Sequence, residues 1–439
     1  ASPAPDPALR ATALAAMRQA IATVERIPPP VQLGLYTGLP GVAWCAAYLG
    51  TRLNEPWLLD AARDLLSRLP DLLTQPHEHD RLSGAAGAIV ALLHLRTLLD
   101  EPTLLAMAVR LGDDLLHAAM VDERGWRWRS PSQPRALPLT GYAHGASGIA
   151  HALVALHAAT GDACYRAAAL GAFTWERSWR DTDTGTWPDF RDVSPAALQR
   201  GAVLLQATAW CHGAPGMALA RLAGWQRLGD GELRAEAVLA LETTRRAVVA
   251  AGGDPGASRC LCHGLAGNAL ILRHGAVMLG DAGLADAATA AVAGLAERDP
   301  QRAGMPPGLL LGTSGVGLAC LLGLQACLPV TQLDPPDLAG DGLRQLGELD
   351  PTHPLPGREP LPGVRENGPG HLLPGLVAGC ERDVGLGHGE AHRVGGRHDG
   401  GLGDSRVLDE DRLELEGADL VVARLEDVVG APHVGEVAL

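Results

Sequence analysis

A pair of glycines in the pattern G-x-x-G recurs six times along this chain, each time directly before an apolar stretch with helical spacing. Successive first glycines lie 46, 61, 68, 51 and 48 residues apart, about the length of two helices with their loops. One such motif is a weak signal in a chain with 55 Gly, but six at similar intervals predict repeated helical hairpins. The motifs lie at residues 38–41, 84–87, 145–148, 213–216, 264–267 and 312–315.

Such hairpins bury their apolar faces only against neighbouring hairpins, so the repeat predicts either a solenoid or a closed ring. The stretches after the glycines are rich in Ala, which suits a tightly packed inner layer, whereas residues 56–69 and 104–120 are more amphipathic. No convincing alternation of β-branched residues predicts a sheet. We therefore expect an all-α fold, an α/α toroid. Its double-layer barrel of helical hairpins would have inner helices that begin at the G-x-x-G pairs.

Charge and composition divide the chain near residue 336. Residues 337–439 contain 20 acidic residues against nine Arg, so −11 of the formal net charge of −14 lies there. This segment is rich in Gly, Pro and His, lacks aromatic residues and does not continue the repeat. We expect residues 1–336 to form the helical domain. Residues 337–439 are expected to be a poorly ordered acidic tail outside it.

The remaining composition excludes several classes of protein. The body carries only about −3 of the charge and has no basic stripe, which argues against a nucleic-acid partner. No uncharged apolar run is long enough for a transmembrane segment, and the first residues lack a signal-peptide pattern. The eight cysteines are scattered, so reduced thiols or metal ligands are favoured over disulfides. We expect a cytoplasmic protein.

Thiols and imidazoles precede the glycine pairs of two consecutive repeats, in WCHG at residues 210–213 and CLCHG at residues 260–264. Equivalent positions of a closed ring lie at the same end and face its centre, so residues of different repeats can converge. Cys211, Cys262 and His263 then form two thiolates and one imidazole, a set suited to zinc with an open fourth position. The alternative is that they are ordinary buried residues, and Cys260 is an additional candidate ligand.

Six strings carry a family resemblance. They are LSGAAGAI at residues 82–89, PLTGYAHGASGI at 138–149, WPDFR at 187–191, AWCHGAPG at 209–216, LCHGLAGN at 261–268 and PGLLLGTSGV at 307–316. In these strings the chain resembles the lanthionine synthetase C-like (LanC-like) cyclases. It is most similar to the C-terminal cyclase domain of class II lanthipeptide synthetases (LanM type).

The resemblance implies residue roles. Cys211, Cys262 and His263 correspond to the zinc ligands, His144 to the acid–base histidine and Asp80 to the acidic residue that faces it. His212 is a second candidate for proton transfer, ranked below His144.

The implied activity is a zinc-dependent lanthionine cyclase. Such an enzyme adds peptide Cys thiols to dehydroalanine or dehydrobutyrine and so forms the thioether rings of a lanthipeptide. The expected cofactor is Zn²⁺ and the expected substrate is a dehydrated precursor peptide. No dehydratase domain accompanies this sequence, so a separate dehydratase is an expected partner.

Two features depart from the family pattern. The family usually has seven hairpins, and the first glycine interval here is short; the tail also has no counterpart. These departures leave open a noncatalytic zinc-containing scaffold that binds peptide or glutathione-like thiols, or an inactive truncated remnant. An α/α-barrel glycosidase would require paired carboxylates at the centre, where the repeat positions offer only Asp80.

Overall fold

A computed structural model describes residues 7–254, 256–296 and 305–324, and most of this part of the chain is helical. The predicted tail, residues 337–439, lies outside the described residues. The α-helices are α1 (Pro7–Thr23), α2 (Leu39–Leu53), α3 (Pro56–Ser67), α4 (Leu69–Leu72), α5 (Ala85–Leu99), α6 (Thr103–Ala118), α7 (Ala146–Thr160), α8 (Ala163–Arg177), α9 (Pro195–Gln199), α10 (Ala214–Leu228), α11 (Gly231–Gly252), α12 (Leu265–Leu279), α13 (Ala282–Ala296) and α14 (Thr313–Leu324).

The helices form two layers. The inner layer is α2, α5, α7, α10, α12 and α14, and each of these packs against the next. The outer layer contains α3, α6, α8, α11 and α13, each packed on the inner helix that precedes it, while α1 packs on α2. Twelve of the 15 residues of α5 are buried, against five of the 16 in α6, which distinguishes an inner from an outer helix. The predicted all-α class and the double layer of hairpins are confirmed.

Strands are few and short in the described residues. β1 (Met120–Asp122) pairs antiparallel with β2 (Gly125–Arg127), and β3 (Pro188–Asp189) pairs antiparallel with β4 (Leu205–Gln206). Strands of two or three residues are too short to produce a visible alternation, so the sequence pattern does not predict them.

The first five inner helices share their length and both ends. Each has 15 residues and begins directly after the first glycine of its motif. Each ends at a residue in the left-handed conformation, which closes the last helical turn by a backbone hydrogen bond. These C-terminal residues are Asn54, Asp100, Gly161, Gly229 and Gly280.

The second glycine of every motif is sterically required. A Cβ placed there would lie only 1.8–2.2 Å from the carbonyl oxygen of the residue six positions earlier, in all six repeats. The loop before each inner helix therefore lies directly against the first turn of that helix, and a methyl group would separate them. This close approach explains why the motif recurs with fixed spacing.

Replacing Gly41 with Ala should destabilise the protein, although Ala normally favours a helix by about 0.5–1 kcal/mol over Gly. Its Cβ would meet the Leu35 carbonyl oxygen at 1.8 Å, so we expect a loss on the order of 1–3 kcal/mol in the free energy of unfolding, typical of overpacking. Denaturant unfolding measures it. Gly231→Ala is the control, because no atom lies within 4 Å of that Cβ. Equal stability of Gly41→Ala and the unchanged chain would contradict the steric argument.

Two further observations concern the layers as a whole. The first and last inner helices, α2 and α14, do not pack extensively on each other within the described residues. None of the helices in the described ranges is long and apolar enough to cross a membrane.

Candidate functional site

The loops before the glycine pairs are joined to one another by backbone hydrogen bonds. We call these loops, residues 34–37, 80–83, 141–144, 209–212, 260–263 and 308–311, the loop arc. Each of the first five loops donates backbone N–H groups to a carbonyl of the next, so side chains from distant repeats meet along one edge. The donor and acceptor pairs are Tyr36 to Leu82, Arg81 and Leu82 to Ala143, Tyr142 and Ala143 to Cys211, Cys211 to Cys262, and Cys262 to Leu310, with N···O distances of 2.9–3.4 Å.

Asp80 and His144 form a hydrogen-bonded pair in the loop arc. His144 Nδ1 donates to Asp80 Oδ2 at 2.7 Å, and Asp80 Oδ1 accepts the backbone N–H of Ser83 at 2.7 Å. The Asp80 side chain is 12% exposed and that of His144 is 30% exposed, so the carboxylate lies beneath the imidazole. The bond to Asp80 occupies Nδ1 and leaves Nε2 of His144 available to a bound molecule.

Burial and mutual attraction have opposite effects on this pair. Burial raises the pKa of Asp80, but the charge and hydrogen bond of His144 outweigh it, with help from Ser83, so the pKa is lowered. Burial lowers the pKa of His144, but Asp80 outweighs it, so that pKa is raised. The carboxylate is therefore ionised at neutral pH and fixes the histidine in orientation.

Cys211 and Cys262 come from consecutive repeats and lie in contact. The hydrogen bond between the two thiols lowers the pKa of Cys211 to about 4; burial opposes this shift, and His212 and Arg191 add to it. Cys211 is consequently a thiolate at neutral pH, the form that binds metal ions and attacks electrophiles. The convergence of these two cysteines is the one that the repeat predicts.

His263 has a different partner. Its backbone N–H donates to Cys260 Sγ at an N···S distance of 3.4 Å, and its side chain also hydrogen-bonds this thiol. That hydrogen bond raises the pKa of His263 against the effect of burial. Burial raises the pKa of Cys260, but the hydrogen bonds from His263 and Ser258 outweigh it and the pKa is lowered. His263 therefore lies beside Cys260 rather than completing a group with Cys211 and Cys262.

His212 is almost fully enclosed, with 3% of its side chain exposed. Its ring centroid is 6.2 Å from that of His144, and its Nε2 is 3.7 Å from Asp189 Oδ1. The two histidines considered for proton transfer therefore lie on adjacent loops of the arc, and the more exposed one is His144.

Asp189 and Arg191 belong to the site but received no role from the sequence. Arg191 donates to both Asp189 carboxylate oxygens, with Nε and Nη2 distances of 2.7–3.2 Å. Burial raises the pKa of Asp189, and Arg191 and His212 together lower it below its usual value. The charge of Arg191 also acts on His144, Cys211 and His263. These two residues do not directly precede a glycine pair, so the string WPDFR was the available signal in the sequence.

The free thiols and the candidate metal ligands can be compared directly. In the described residues, all three cysteines that are candidate zinc ligands are free thiols. The free cysteines of that part are Cys45, Cys211, Cys260, Cys262 and Cys320.

The donor types at the loop arc fit zinc. An ionised thiol in contact with a second thiol, with an imidazole on the next residue, is a donor set that zinc prefers. Within the described ranges, however, no three His, Cys, Asp or Glu side chains are grouped closely enough to hold a metal ion. The sulfurs of Cys211 and Cys262 lie in contact, but the imidazole of His263 bonds Cys260 instead. The site with three zinc ligands therefore stays a prediction.

The chain is similar to one protein family and to several solved structures. No curated protein sequence matches the chain. Among solved structures, nisin cyclase is 19% identical, with a TM-score of 0.42, covering 70% of this chain and 92% of that one. A sugar epimerase from a ruminal bacterium is 15% identical, with a TM-score of 0.44, covering 60% and 75%. The family model for lanthionine synthetase C-like proteins matches residues 4–325, most of the chain and all six glycine pairs. The chain belongs to the lanthionine synthetase C-like family.

Proposed function

We propose that this protein is a zinc-dependent lanthionine cyclase, which closes thioether rings in a dehydrated precursor peptide. Family membership supports a cyclase-like scaffold. The observation that carries the proposal is the position of two reactive pairs on neighbouring loops. The Asp80–His144 pair can move a proton, and the Cys211–Cys262 pair can hold a soft metal ion.

Cys211, Cys262 and His263 would hold the zinc ion, which when bound would hold the peptide Cys as a thiolate. A free thiol with a pKa of about 8.5 is already roughly 3% ionised at pH 7, so ionisation alone gains only about 30-fold. The larger contribution must come from holding the sulfur against the alkene carbon, where effective molarities are very high.

The reaction is an addition with no leaving group. The peptide sulfur forms a bond to the β-carbon of the dehydro residue, the carbon–carbon π bond breaks, and the α-carbon takes up a proton as the thiol loses one. His144 can accept or deliver that proton through Nε2, while Asp80 holds Nδ1 and stabilises the protonated ring. His212, behind it, is the second candidate for this transfer.

A noncatalytic scaffold that binds peptide or glutathione-like thiols is the second candidate function. The observation that favours it is the side-chain hydrogen bond between His263 and Cys260, which engages one of the three predicted zinc ligands elsewhere. Such a protein would bind the peptide thiol without consuming it.

The test is to incubate the protein, loaded with zinc, with a predehydrated peptide that carries a free Cys and to count the thiols that remain. Ring closure leaves the mass unchanged, so alkylation of residual thiols followed by mass spectrometry gives the readout. We expect thiol loss, and none with a control peptide that has Ala in place of the dehydro residue. Binding without thiol loss would establish the scaffold instead.

The same proposal predicts a division of labour. The residues of the loop arc provide proton transfer and thiol binding but nothing that activates a hydroxyl for elimination. A separate dehydratase would therefore supply the substrate, and a reducing cytoplasm would keep its cysteines free. With an unmodified Ser/Thr precursor, this protein alone should cause no loss of water by mass spectrometry. A dehydrated product would refute this division.

A further inference from the structure

We infer that Glu176, on the outer helix α8, is a positioning residue for His144 and fixes the catalytic loop through two backbone N–H groups. The inference rests on the proposed function, because it assumes that His144 transfers the proton. Its first measurement concerns the loop itself and needs no activity.

The carboxylate of Glu176 binds the backbone on both sides of His144, at the start of its loop and in the first turn of α7. Its Oε1 accepts the backbone N–H of Gly141 at 3.0 Å and that of Ser147 at 2.9 Å. His144 lies midway between these two donors in the sequence. Ser147 Oγ also donates to Oε2. One buried anion thus bridges Gly141, at the start of the loop, and Ser147, in the first turn of α7.

An ion pair holds Glu176 in place. Arg221 Nη1 donates to Glu176 Oε2 at 2.7 Å, and both side chains are 0% exposed. The guanidinium lies over the rings of Phe173 and Trp187, with 4.8 Å and 5.5 Å to the ring centroids. A buried ion pair seldom adds net stability to a fold. The fixed geometry of Glu176 and Arg221 therefore needs an explanation other than stability.

Arg221 has a second carboxylate, which supplies a matched comparison. Its Nε donates to Glu236 Oε2 at 3.2 Å, and Glu236 also pairs with Arg177. Glu236 is on α11 and is buried like Glu176. It belongs to the same network but accepts no hydrogen bond from the loop.

The loop has little room to move without losing the site. Gly141 has φ +110°, and a Cβ there would lie 2.8 Å from the Cys211 carbonyl oxygen. Thr140 Oγ1 donates to the Pro188 carbonyl at 2.6 Å, next to Asp189. A shift at the Glu176 end would therefore move His144 relative to both Asp80 and Cys211, and small misplacements of catalytic groups can cost about 100-fold in rate.

The experiment compares Glu176→Leu with Glu236→Leu, since each removes one carboxylate from Arg221. Amide hydrogen exchange is measured at Gly141 and Ser147, and cyclisation of a predehydrated peptide is measured on the same preparations together with zinc content. We expect Glu176→Leu to speed exchange at both amides and to lower the cyclisation rate by about 10- to 100-fold with zinc retained. Glu236→Leu should leave the exchange at these amides unchanged.

Glu176→Gln tests the atom responsible. It keeps an acceptor oxygen without the charge, so it should restore slow exchange at Gly141 and Ser147 and most of the rate. The inference would be overturned if Glu236→Leu speeds exchange at these two amides as much as Glu176→Leu does. If Glu176→Leu does not fold, hydrogen exchange in the unchanged chain provides the test. Its Gly141 and Ser147 amides should exchange as slowly as those in the interior of α7, and exchange at surface-loop rates would overturn the inference. An inactive protein with these protected amides would contradict the proposed function alone.

Discussion

Replacing Cys211 and Cys262 together with Ala should remove stoichiometric zinc from the protein and bring cyclisation close to its uncatalysed rate. The two thiols are in contact and Cys211 is ionised at neutral pH, so together they form the part of the donor set that is already assembled. We expect a rate loss of at least about 10⁴-fold, because the effective molarity that comes from holding the peptide sulfur is lost with the metal. Metal analysis and thiol counting on the same preparation measure both effects.

Cys320→Ala is the matched control for this pair. Cys320 is also a free cysteine, but burial raises the pKa of its thiol, and it lies on α14 outside the loop arc. Its replacement should change neither zinc content nor rate. Stoichiometric zinc in the Cys211→Ala, Cys262→Ala double variant would refute the assigned ligands.

Replacing His144 with Ala should leave the zinc in place and slow ring closure by about 10²–10⁴-fold, the usual contribution of general acid–base catalysis. The side chain is directed by Asp80 and has no thiol as its hydrogen-bond partner, which separates it from the predicted metal ligands. His117→Ala is the control, since that exposed histidine bonds only a carbonyl of its own helix. Zinc loss like that of the cysteine variant would make His144 a ligand. Full zinc with an unchanged rate would make it structural.

Asp80→Asn gives a pH dependence with a definite sign. Asp80 is what raises the pKa of His144, whereas burial lowers it, so the pKa must fall in the variant. If His144 acts as the base, activity is lost as the pH drops through this pKa. The acidic limb of the rate profile should then move to lower pH in Asp80→Asn. A limb that stays in place would assign the titration to another group, with His212 next to be tested.

The helical framework was predictable because its main determinant is local and steric. The second glycine of each motif must lack a Cβ, and this requirement appears in the sequence as a fixed spacing. The outer helices were also visible, since α3 and α6 begin and end within two residues of the amphipathic stretches at residues 56–69 and 104–120.

The site was only partly predictable from the sequence. Repeat register predicted the approach of Cys211 to Cys262, and the family resemblance implied that Asp80 faces His144; the structure has both contacts. Repeat register could not show that His263 hydrogen-bonds Cys260, because both side chains are in one loop and their rotamers decide the partner. Asp189 reaches His212 from the two-residue strand β3, whose position depends on tertiary packing rather than on any repeat.

The loop arc separates chemistry from folding. Its connections from loop to loop are made by main-chain N–H and carbonyl groups, and its course is set by glycines, so neither depends on which side chain precedes the first glycine. That position is therefore free to vary. It already holds four residue types along one chain: Thr37, Ser83, His144, His212, His263 and Leu311. A single substitution at this position can change what the edge binds or protonates while the helix that follows still begins at the same residue. Proteins built on this repeat can thus acquire or lose a reaction one residue at a time, without passing through a sequence that fails to fold.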